Sequence, residues 1–303
     1  MLGMYNIHTD LALEDKERFE SDQVEISGVS VEEFFDETYG ILTTEVKIMT
    51  ENGAKAMRKP VGTYITIEMS NLVLEDEAYH QEVSKQLAKN IKKILDVKSE
   101  GASILVVGLG NRDVTPDALG PCTVEQLNIT RHIIKEYGNC ALENVSQMVS
   151  AIAPGVMAQT GMETYEIIKG VSDSIHPDAV FVVDALAARN TKRLNRTIQI
   201  TDTGIRPGSG VGNHRNEISK ETLGVPVIAV GVPTVVDAAT IVRDTMENIL
   251  STLEKEEQYE FMDDVIAPHL YGMFVTPKDI DEAIETIGTT IADGFNILFS
   301  KED

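Results

Sequence analysis

Four short apolar runs recur along the middle of the chain. They occupy residues 103–111, 145–155, 178–188 and 225–234. Each is apolar at consecutive rather than alternate positions, which is typical of strands buried on both faces of a parallel sheet. Stretches with helical spacing lie between or after them, at 121–137, 156–169 and 235–253. This alternation predicts an α/β fold with a mostly parallel central sheet flanked by helices.

The flanking regions complete a single predicted domain. The β-branched run Gly62–Ser70 predicts a strand, and the apolar spacing of residues 76–95 and 278–299 predicts two helices. Residues 1–25 are polar and acidic, which favours a loosely held arm. Neither an internal repeat nor a low-complexity linker interrupts the sequence, so one domain is expected.

Charge and cysteine content limit the classes of function that the protein could have. The 303 residues carry 26 Lys and Arg against 49 Asp and Glu, a net charge of −23. A surface this acidic should repel nucleic acids and anionic membranes, so direct binding to either is not expected. Signal-peptide and membrane-span patterns are absent, and two cysteines do not make a disulfide framework. The predicted location is the reducing cytosol.

Acidic residues follow three of the four apolar runs. Asp113 and Asp117 come after the first run, Asp184 ends FVVD in the third, and Asp237 follows the fourth. Ligands of open parallel sheets bind outside the carboxyl ends of the strands, so these residues should meet at one edge. Two adjacent carboxyl groups share a proton and can act as acid and base on water. The alternative is that Asp117 and Asp184 cap helices, a role that Asp favours.

Two glycine-rich segments suggest weaker hypotheses. Gly108–Asn111 reads GLGN and lacks the third glycine of a dinucleotide-binding loop. Gly204–Arg215 is expected to be a loop beside the active edge, with anion binding as the alternative. His214 lies in that loop and His176 precedes a strand, where a turn role is favoured. The histidine spacing does not match a zinc protease, and the thiols of Cys122 and Cys140 are expected to be inert.

Several long blocks of sequence resemble the germination proteases of spore-forming Firmicutes. They read VVGLGNRDVTPDALGP, SAIAPGVMAQTGMETYEIIKG, HPDAVFVVDALAARN, TIQITDTGIRPGSGVGNHR and VIAVGVPTVVDA. The resemblance implies an atypical aspartic endopeptidase with a fold similar to the hydrogenase-maturation endopeptidases. The catalytic pair would be Asp117, in TPDALG, and Asp184, in VVDALAAR. The resemblance implies no metal and no organic cofactor.

The resemblance also implies a tetrameric zymogen that removes its own N-terminal segment. Substrates of the family are the small acid-soluble spore proteins, cut within a motif similar to Thr-Glu-(Ile/Phe)-Ala-Ser-Glu in the spore core. His8–Glu14 reads HTDLALE, with acidic, apolar, Ala and Glu residues in the same order. Processing is therefore expected between Asp10 and Leu11. Residues 1–10 would be the propeptide and residues 11–303 a single α/β protease domain.

Two other functions remain open at the level of sequence. A metal-dependent maturation-type endopeptidase on the same fold would be inhibited by chelators, whereas a carboxylate pair needs no metal. A non-catalytic protein that binds the small spore proteins would leave them uncut. Both carboxyl groups of the pair are present, which favours the catalytic alternative.

Overall fold

The computed structural model describes residues 11–14, 27–95, 101–138, 142, 147–208, 215–250, 270 and 272–301. The strands of this part are β1 (Val29–Asp36), β2 (Ile41–Ile48), β3 (Gly62–Glu68), β4 (Ser103–Gly108), β5 (Met148–Ile152), β6 (Ala179–Ala188), β7 (Thr197–Thr201), β8 (Val227–Asp237) and β9 (Phe274–Val275). The helices are α1 (Glu51–Met57), α2 (Glu77–Ile94), α3 (Leu119–Glu125), α4 (Arg131–Tyr137), α5 (Met157–Thr160), α6 (Thr164–Ile175), α7 (Lys220–Leu223), α8 (Ala238–Leu250) and α9 (Ile280–Phe299). Short 3-10 turns span Leu72–Leu74, Thr115–Asp117 and Thr191–Arg193. Within these ranges, no helix is both long and apolar enough to cross a membrane.

The strands form one mixed sheet in the order β1-β2-β3-β7-β8-β6-β4-β5, and β9 pairs with β8. The neighbours β5, β4, β6 and β8 run parallel to one another. The strands β7, β3, β2 and β1 extend the other side of β8 by antiparallel pairing. The parallel half therefore forms the centre and one edge, and an antiparallel half widens the sheet.

The predicted α/β class, with a central sheet flanked by helices, is confirmed. The four apolar runs are the four parallel strands, and the helices predicted at 76–95 and 278–299 are α2 and α9. The predicted helical stretches 121–137 and 156–169 each contain two helices instead of one. The mostly parallel pattern holds for the half that the apolar runs build, whereas the antiparallel half was not predicted beyond β3.

One face of the sheet carries the helices α2, α3 and α9. α9 packs against α2 and α3, and together they bury the largest apolar cluster of the protein. Phe181 of β6 contacts Phe295 and Phe299 of α9 edge-on, with ring centroids 5.4 and 5.2 Å apart. Rings at these separations add to the stabilisation from their buried area. α9 therefore holds β6 in place from the helix-covered face of the sheet.

Described helices cover the opposite face at its two ends. At one end, α6 packs Ile168 against Val180 and Val182 of β6. At the other end, Met57 of α1 packs against Val46 and other residues of β2 and β3. The sheet surface between these clusters is lined largely by the later residues of β6, β7 and β8. That gap is where a ligand can reach the sheet.

The expectation of a loosely held N-terminal arm is wrong for residues 11–14. Leu11 and Ala12 are fully buried, and Leu13 and Glu14 are each only 4% exposed. The sequence interpretation averaged polarity over 25 residues, whereas burial here is decided by one short apolar run, Leu11–Leu13. Residues 1–10 and 15–25 lie outside the described residues.

The glycines of GLGN serve close packing in this structure. A Cβ on Gly108 would overlap the backbone of Gly120, where α3 crosses the end of β4. Gly110 has a φ of 114° and approaches the carbonyl oxygen of Asp117 too closely for any side chain. These contacts bring the chain after β4 back across the sheet edge, toward β6.

A pair of glycine substitutions tests this packing. Gly108→Ala should lower the free energy of unfolding by up to about 3 kcal/mol, because the backbone of α3 would have to move. Gly170→Ala is the matched control, since its Cβ would meet nothing within 4 Å on a helix surface. It should raise stability by about 0.5–1 kcal/mol. Urea unfolding measures both, and equal effects would contradict the packing role of Gly108.

Candidate active site

Asp184 lies on the open face of β6, in the middle of the sheet. β4 pairs with β6 only as far as Val183, whereas β8 follows β6 to Ala188. Asp184 is therefore the first β6 residue without β4 beside it. It is paired with Gly231 of β8, and the Leu186 side chain packs over this glycine, where a Cβ would lie 2.5 Å from Leu186 Cδ1. Asp184 is 6% exposed, and its Oδ1 accepts a hydrogen bond from Ala185 N–H at 3.0 Å.

Asp117 is brought to the same place by the turn after β4. The N–H of Leu109 donates to Val183 O at 2.8 Å, which keeps the chain beside β6 as the strand ends. The 3-10 turn Thr115–Asp117 then packs against β6 and β8. Thr234 of β8 fixes it, because its hydroxyl donates to Pro116 O at 2.7 Å. Both aspartates line one cavity of about 1010 Å³.

The environment of Asp117 favours its protonated form. Burial is the largest influence, and it raises the pKa of this carboxyl group above its ordinary value. A hydrogen bond from Asn111 N–H, 2.8 Å from Oδ2, and the positive charge of Arg215 act in the opposite direction. The result is a carboxyl group that keeps its proton to a higher pH than a free aspartate.

Among the described residues, the cavity lining carries basic and acidic side chains in equal number. Arg58, Lys59 and Arg206 line it together with Asp117, Asp184 and Glu217. Arg206 is held by Glu217, with its Nε 2.8 Å from a carboxylate oxygen. Arg58 and Lys59 are lining residues whose positive charge can attract an acidic ligand, in a protein whose net charge is −23.

Sequence reasoning missed two polar residues of the cavity. Gln199 of β7 is paired with Gly231, so it lies on the same face as Asp184, two strands away. Tyr64 of β3 lines the cavity, and burial raises the pKa of its hydroxyl, which donates to Pro60 O at 2.9 Å. The antiparallel pairing of β3 with β7 brings both residues to the cavity. No local sequence pattern predicts that pairing.

The other strand-end carboxylates do not join the pair. Asp113 lies on an exposed turn, where its carboxylate accepts a hydrogen bond from Gln159 at 3.1 Å. Asp237 accepts from the N–H groups of Ala239 and Thr240 at the start of α8, which is the bonding of a cap.

The capping alternative for Asp117 and Asp184 is wrong. Asp184 lies inside β6, and Asp117 accepts from Asn111, outside any helix. The residue at the N-terminal boundary of α3 is Ala118.

The remaining candidates have structural roles or lie outside the described residues. Gly204, Ile205, Arg206 and Gly208 line the cavity, which confirms a loop beside the active edge. His176 ends α6 with a φ of 49°, as its predicted turn role requires. Burial raises the pKa of the half-buried Cys122 thiol. Asp10, His214 and Cys140 lie outside the described residues. Where side chains are described, no three His, Cys, Asp or Glu residues form a group able to hold a metal ion.

Comparison with known proteins identifies the family. A family profile described as "Germination protease" matches residues 7–256. A germination protease of Caldanaerobacter subterraneus subsp. tengcongensis is 46% identical over 98% of this chain and 95% of its own length. The germination protease of Clostridium tetani is 44% identical over 96% of this chain and 95% of its own length. The chain belongs to the germination protease family.

Membership of the germination protease family makes this protein a protease, as its sequence blocks implied. A solved structure, the [NiFe] hydrogenase maturation protease HycI from Thermococcus kodakarensis, matches 68% of this chain and 97% of its own. The two are 17% identical with a TM-score of 0.33.

The raised pKa of Asp117 leads to a stability prediction for this member of the germination protease family. The folded state binds the Asp117 proton more tightly than the unfolded chain, so this group destabilises the fold as pH rises above about 4. Asp117→Asn should therefore raise Tm at pH 7, while its amide oxygen still accepts from Asn111. The difference should close below about pH 4, where the wild-type group is protonated in both states.

Thermal unfolding from pH 3 to pH 8 measures this effect. Asp113→Asn is the control, because it removes the same charge from an exposed turn. A Tm at pH 7 that falls in Asp117→Asn but not in Asp113→Asn would show that the charged carboxylate stabilises the site instead.

Proposed function

We propose that this member of the germination protease family is an endopeptidase that hydrolyses small acid-soluble spore proteins with the Asp117 and Asp184 pair. The observation that carries the proposal is that both carboxyl groups line one cavity, and burial raises the pKa of Asp117. Peptide hydrolysis needs a base that takes a proton from water and an acid that protonates the departing nitrogen. A carboxyl pair with one shared proton supplies both.

The proton balance of the reaction closes within this pair. One carboxylate takes a proton from the attacking water as its oxygen bonds to the peptide carbon. The other carboxyl group gives its proton to the nitrogen as the C–N bond breaks. The pair ends with one proton, as it began. Because coupled groups titrate together, the proton belongs to the pair rather than to one aspartate.

Two basic side chains of the cavity support an acidic substrate. Arg58 and Lys59 line the cavity that holds the pair, and each can attract a carboxylate of the substrate. The third, Arg206, is paired with Glu217. The net charge of −23 works against nucleic acid, so the substrate is expected to be cut more readily when it is free of DNA.

Substitution of each aspartate tests the mechanism. Asp117→Asn and Asp184→Asn should each reduce cleavage of a small acid-soluble spore protein to below about a hundredth of the wild-type rate, since either change disables the acid–base unit. The double variant should be little worse than either single one, because the two groups act as one unit. Initial rates from gel or mass-spectrometric assays measure the losses.

Asp113→Asn is the matched control, and it should keep the wild-type rate because Asp113 is exposed outside the cavity. A folded single variant that retains more than about a tenth of the rate would remove its residue from the proposed pair.

We further propose that residues 1–10 are a propeptide, removed by cleavage between Asp10 and Leu11. Leu11 is fully buried against Leu186 and Ala188, on the β6 face that also carries Asp184. Leu11 is therefore held on the strand that carries Asp184 of its own chain, which favours cleavage within one molecule.

The processing proposal makes a kinetic prediction. N-terminal sequencing should give Leu-Ala-Leu-Glu, and the fractional rate should stay constant over a hundredfold dilution. Leu11→Asp should abolish this cut, because a buried apolar contact becomes a charge. Leu74→Asp is the control, since Leu74 is 78% exposed. A terminus more than three residues from Leu11 would contradict the assigned site, and a rate proportional to concentration would contradict cleavage within one molecule.

A further inference from the structure

Residues Leu11–Glu14 occupy a built site beside the cavity. The side chain of Leu11 packs on Leu186 and Ala188 of β6, with Leu194 and Ile205 beside them. Leu186 and Ile205 also line the cavity that holds the aspartates. Leu11 thus fills an apolar pocket continuous with the candidate active site.

The second residue of the segment is held through its backbone and limited in size. The N–H of Ala12 donates to Gln199 Oε1 at 2.7 Å, and Gln199 is itself a cavity residue. The Ala12 methyl group is fully buried in a cluster with Val46, Met57 and Tyr64. A larger side chain at this position would have to displace that cluster.

The fourth residue is bound by its charge. The two carboxylate oxygens of Glu14 accept hydrogen bonds from the N–H groups of Arg189 and Asn190 at 2.9 and 3.1 Å. Arg193 Nη1 lies 3.7 Å from Glu14 Oε1, and both side chains are less than a tenth exposed. Glu68 lies 3.5 Å from Nε of the same arginine. Two amides and a buried cation make a carboxylate site, because they replace the water that a buried charge loses.

The direction of the segment points back toward the catalytic pair. Glu14 lies against residues 189–193, beyond the end of β6, and Leu11 lies over Leu186 and Ala188. Leu186 is two residues from Asp184 on the same face, about 7 Å along the strand. The chain therefore approaches Asp184 as it runs from Glu14 to Leu11, with the nitrogen of the Asp10–Leu11 bond at the near end.

We propose that Leu11–Glu14 occupies the site that binds the substrate on the carboxyl side of the cut bond, and that Arg193 with the amides of Arg189 and Asn190 selects an acidic residue four positions after that bond. The ligand is an acidic peptide of the order that the family resemblance implies, an apolar residue, a small residue, a third residue and then Asp or Glu. The new element is the site that binds its acidic position. This proposal rests on the proposed protease function and assigns a specificity site to it. Substrate and the tethered segment then compete for one place.

Because the segment and the substrate compete, substitutions of Glu14 and of Arg193 should change the affinity for added peptide in opposite directions. A tethered segment has an effective concentration of about millimolar, so it masks the site from free peptide. Glu14→Gln weakens the competitor and should tighten binding of added peptide by about tenfold or more. Arg193→Gln removes the positive charge that selects the acidic residue, so it should weaken binding of the added peptide. A pair that only stabilises the fold would give changes of the same sign.

The binding experiment uses the full chain with Asp117→Asn, so that nothing is cut. The probe is a fluorescent synthetic peptide of residues 7–18, and anisotropy gives its Kd. In the Glu14→Gln protein, the peptide should bind at least about tenfold more tightly than the same peptide carrying Gln for Glu14, since a hydrogen-bonded charge is lost. Adding Arg193→Gln should abolish that preference.

Two controls guard against misfolding. Lys169→Gln removes a surface charge pair with Asp173 on α6 and should change no Kd. The comparison of the Glu and Gln peptides needs no change at Arg193, so it stands even if Arg193→Gln does not fold. Equal affinities for the two peptides, absence of binding up to millimolar peptide, or changes of the same sign in Glu14→Gln and folded Arg193→Gln would each overturn the site.

A cleavage assay separates this proposal from the proposed function. Wild-type protein should cut the Glu peptide before its Leu with a kcat/KM at least about tenfold above that for the Gln peptide. Arg193→Gln should bring that ratio toward one. Cleavage of a small spore protein with no Glu preference would overturn the specificity site alone. Failure to cut any peptide or spore protein would overturn the protease function, whatever the binding data show.

Discussion

The candidate site depends on β6 continuing past the end of β4. Backbone pairing between them stops at Val183, and β6 runs on beside β8 alone to Ala188. The connection that leaves β4 covers one face of the sheet through α3, and the connection that enters β6 covers the other through α6. A crevice must open where the connections diverge. It receives Asp184 from the strand and Asp117 from the turn, so the chain topology itself brings together carboxyl groups that lie far apart in sequence.

The same geometry buries Asp117 beside a cavity of about 1010 Å³. The turn that carries Asp117 is fixed on β8 by the hydrogen bond from Thr234 and packs closely on Gly110, and burial raises the pKa of the carboxyl group. Gly231 separates Asp184 from Gln199, and its lack of a side chain makes room for Leu186, which packs over it. Close packing at Gly110 and at Gly231 therefore shapes the two sides of the cavity.

Sequence patterns predict the parallel half of the fold because strands buried on both faces are apolar throughout. They predict β1 and β2 poorly, because VSVEEFFD has no buried residue and ILTTEVKI places the polar Thr43 and Thr44 at buried positions. Asp117 and Asp184 were predictable because each lies at or just after the end of an apolar run, which can be recognised from the neighbouring residues alone. Gln199 and Arg193 were not, because their positions follow from pairing and packing between distant segments. Residues 11–14 were misjudged because four buried residues are hidden in a polar composition.

The burial of Leu11–Glu14 also changes how processing and substrate binding relate to each other. If Leu11–Glu14 were only the N-terminus left by processing, Glu14 could lie in water, where a carboxylate needs no protein partner. Instead it contacts a buried arginine and two backbone amides. Burying that charge is unfavourable unless it is well paired, so the pairing groups indicate a recurrent requirement for an acid at this position. The substrate and the N-terminus of the chain would meet this requirement in turn. Under the two proposals above, one site would align the chain for its own processing and foreign peptides for cleavage.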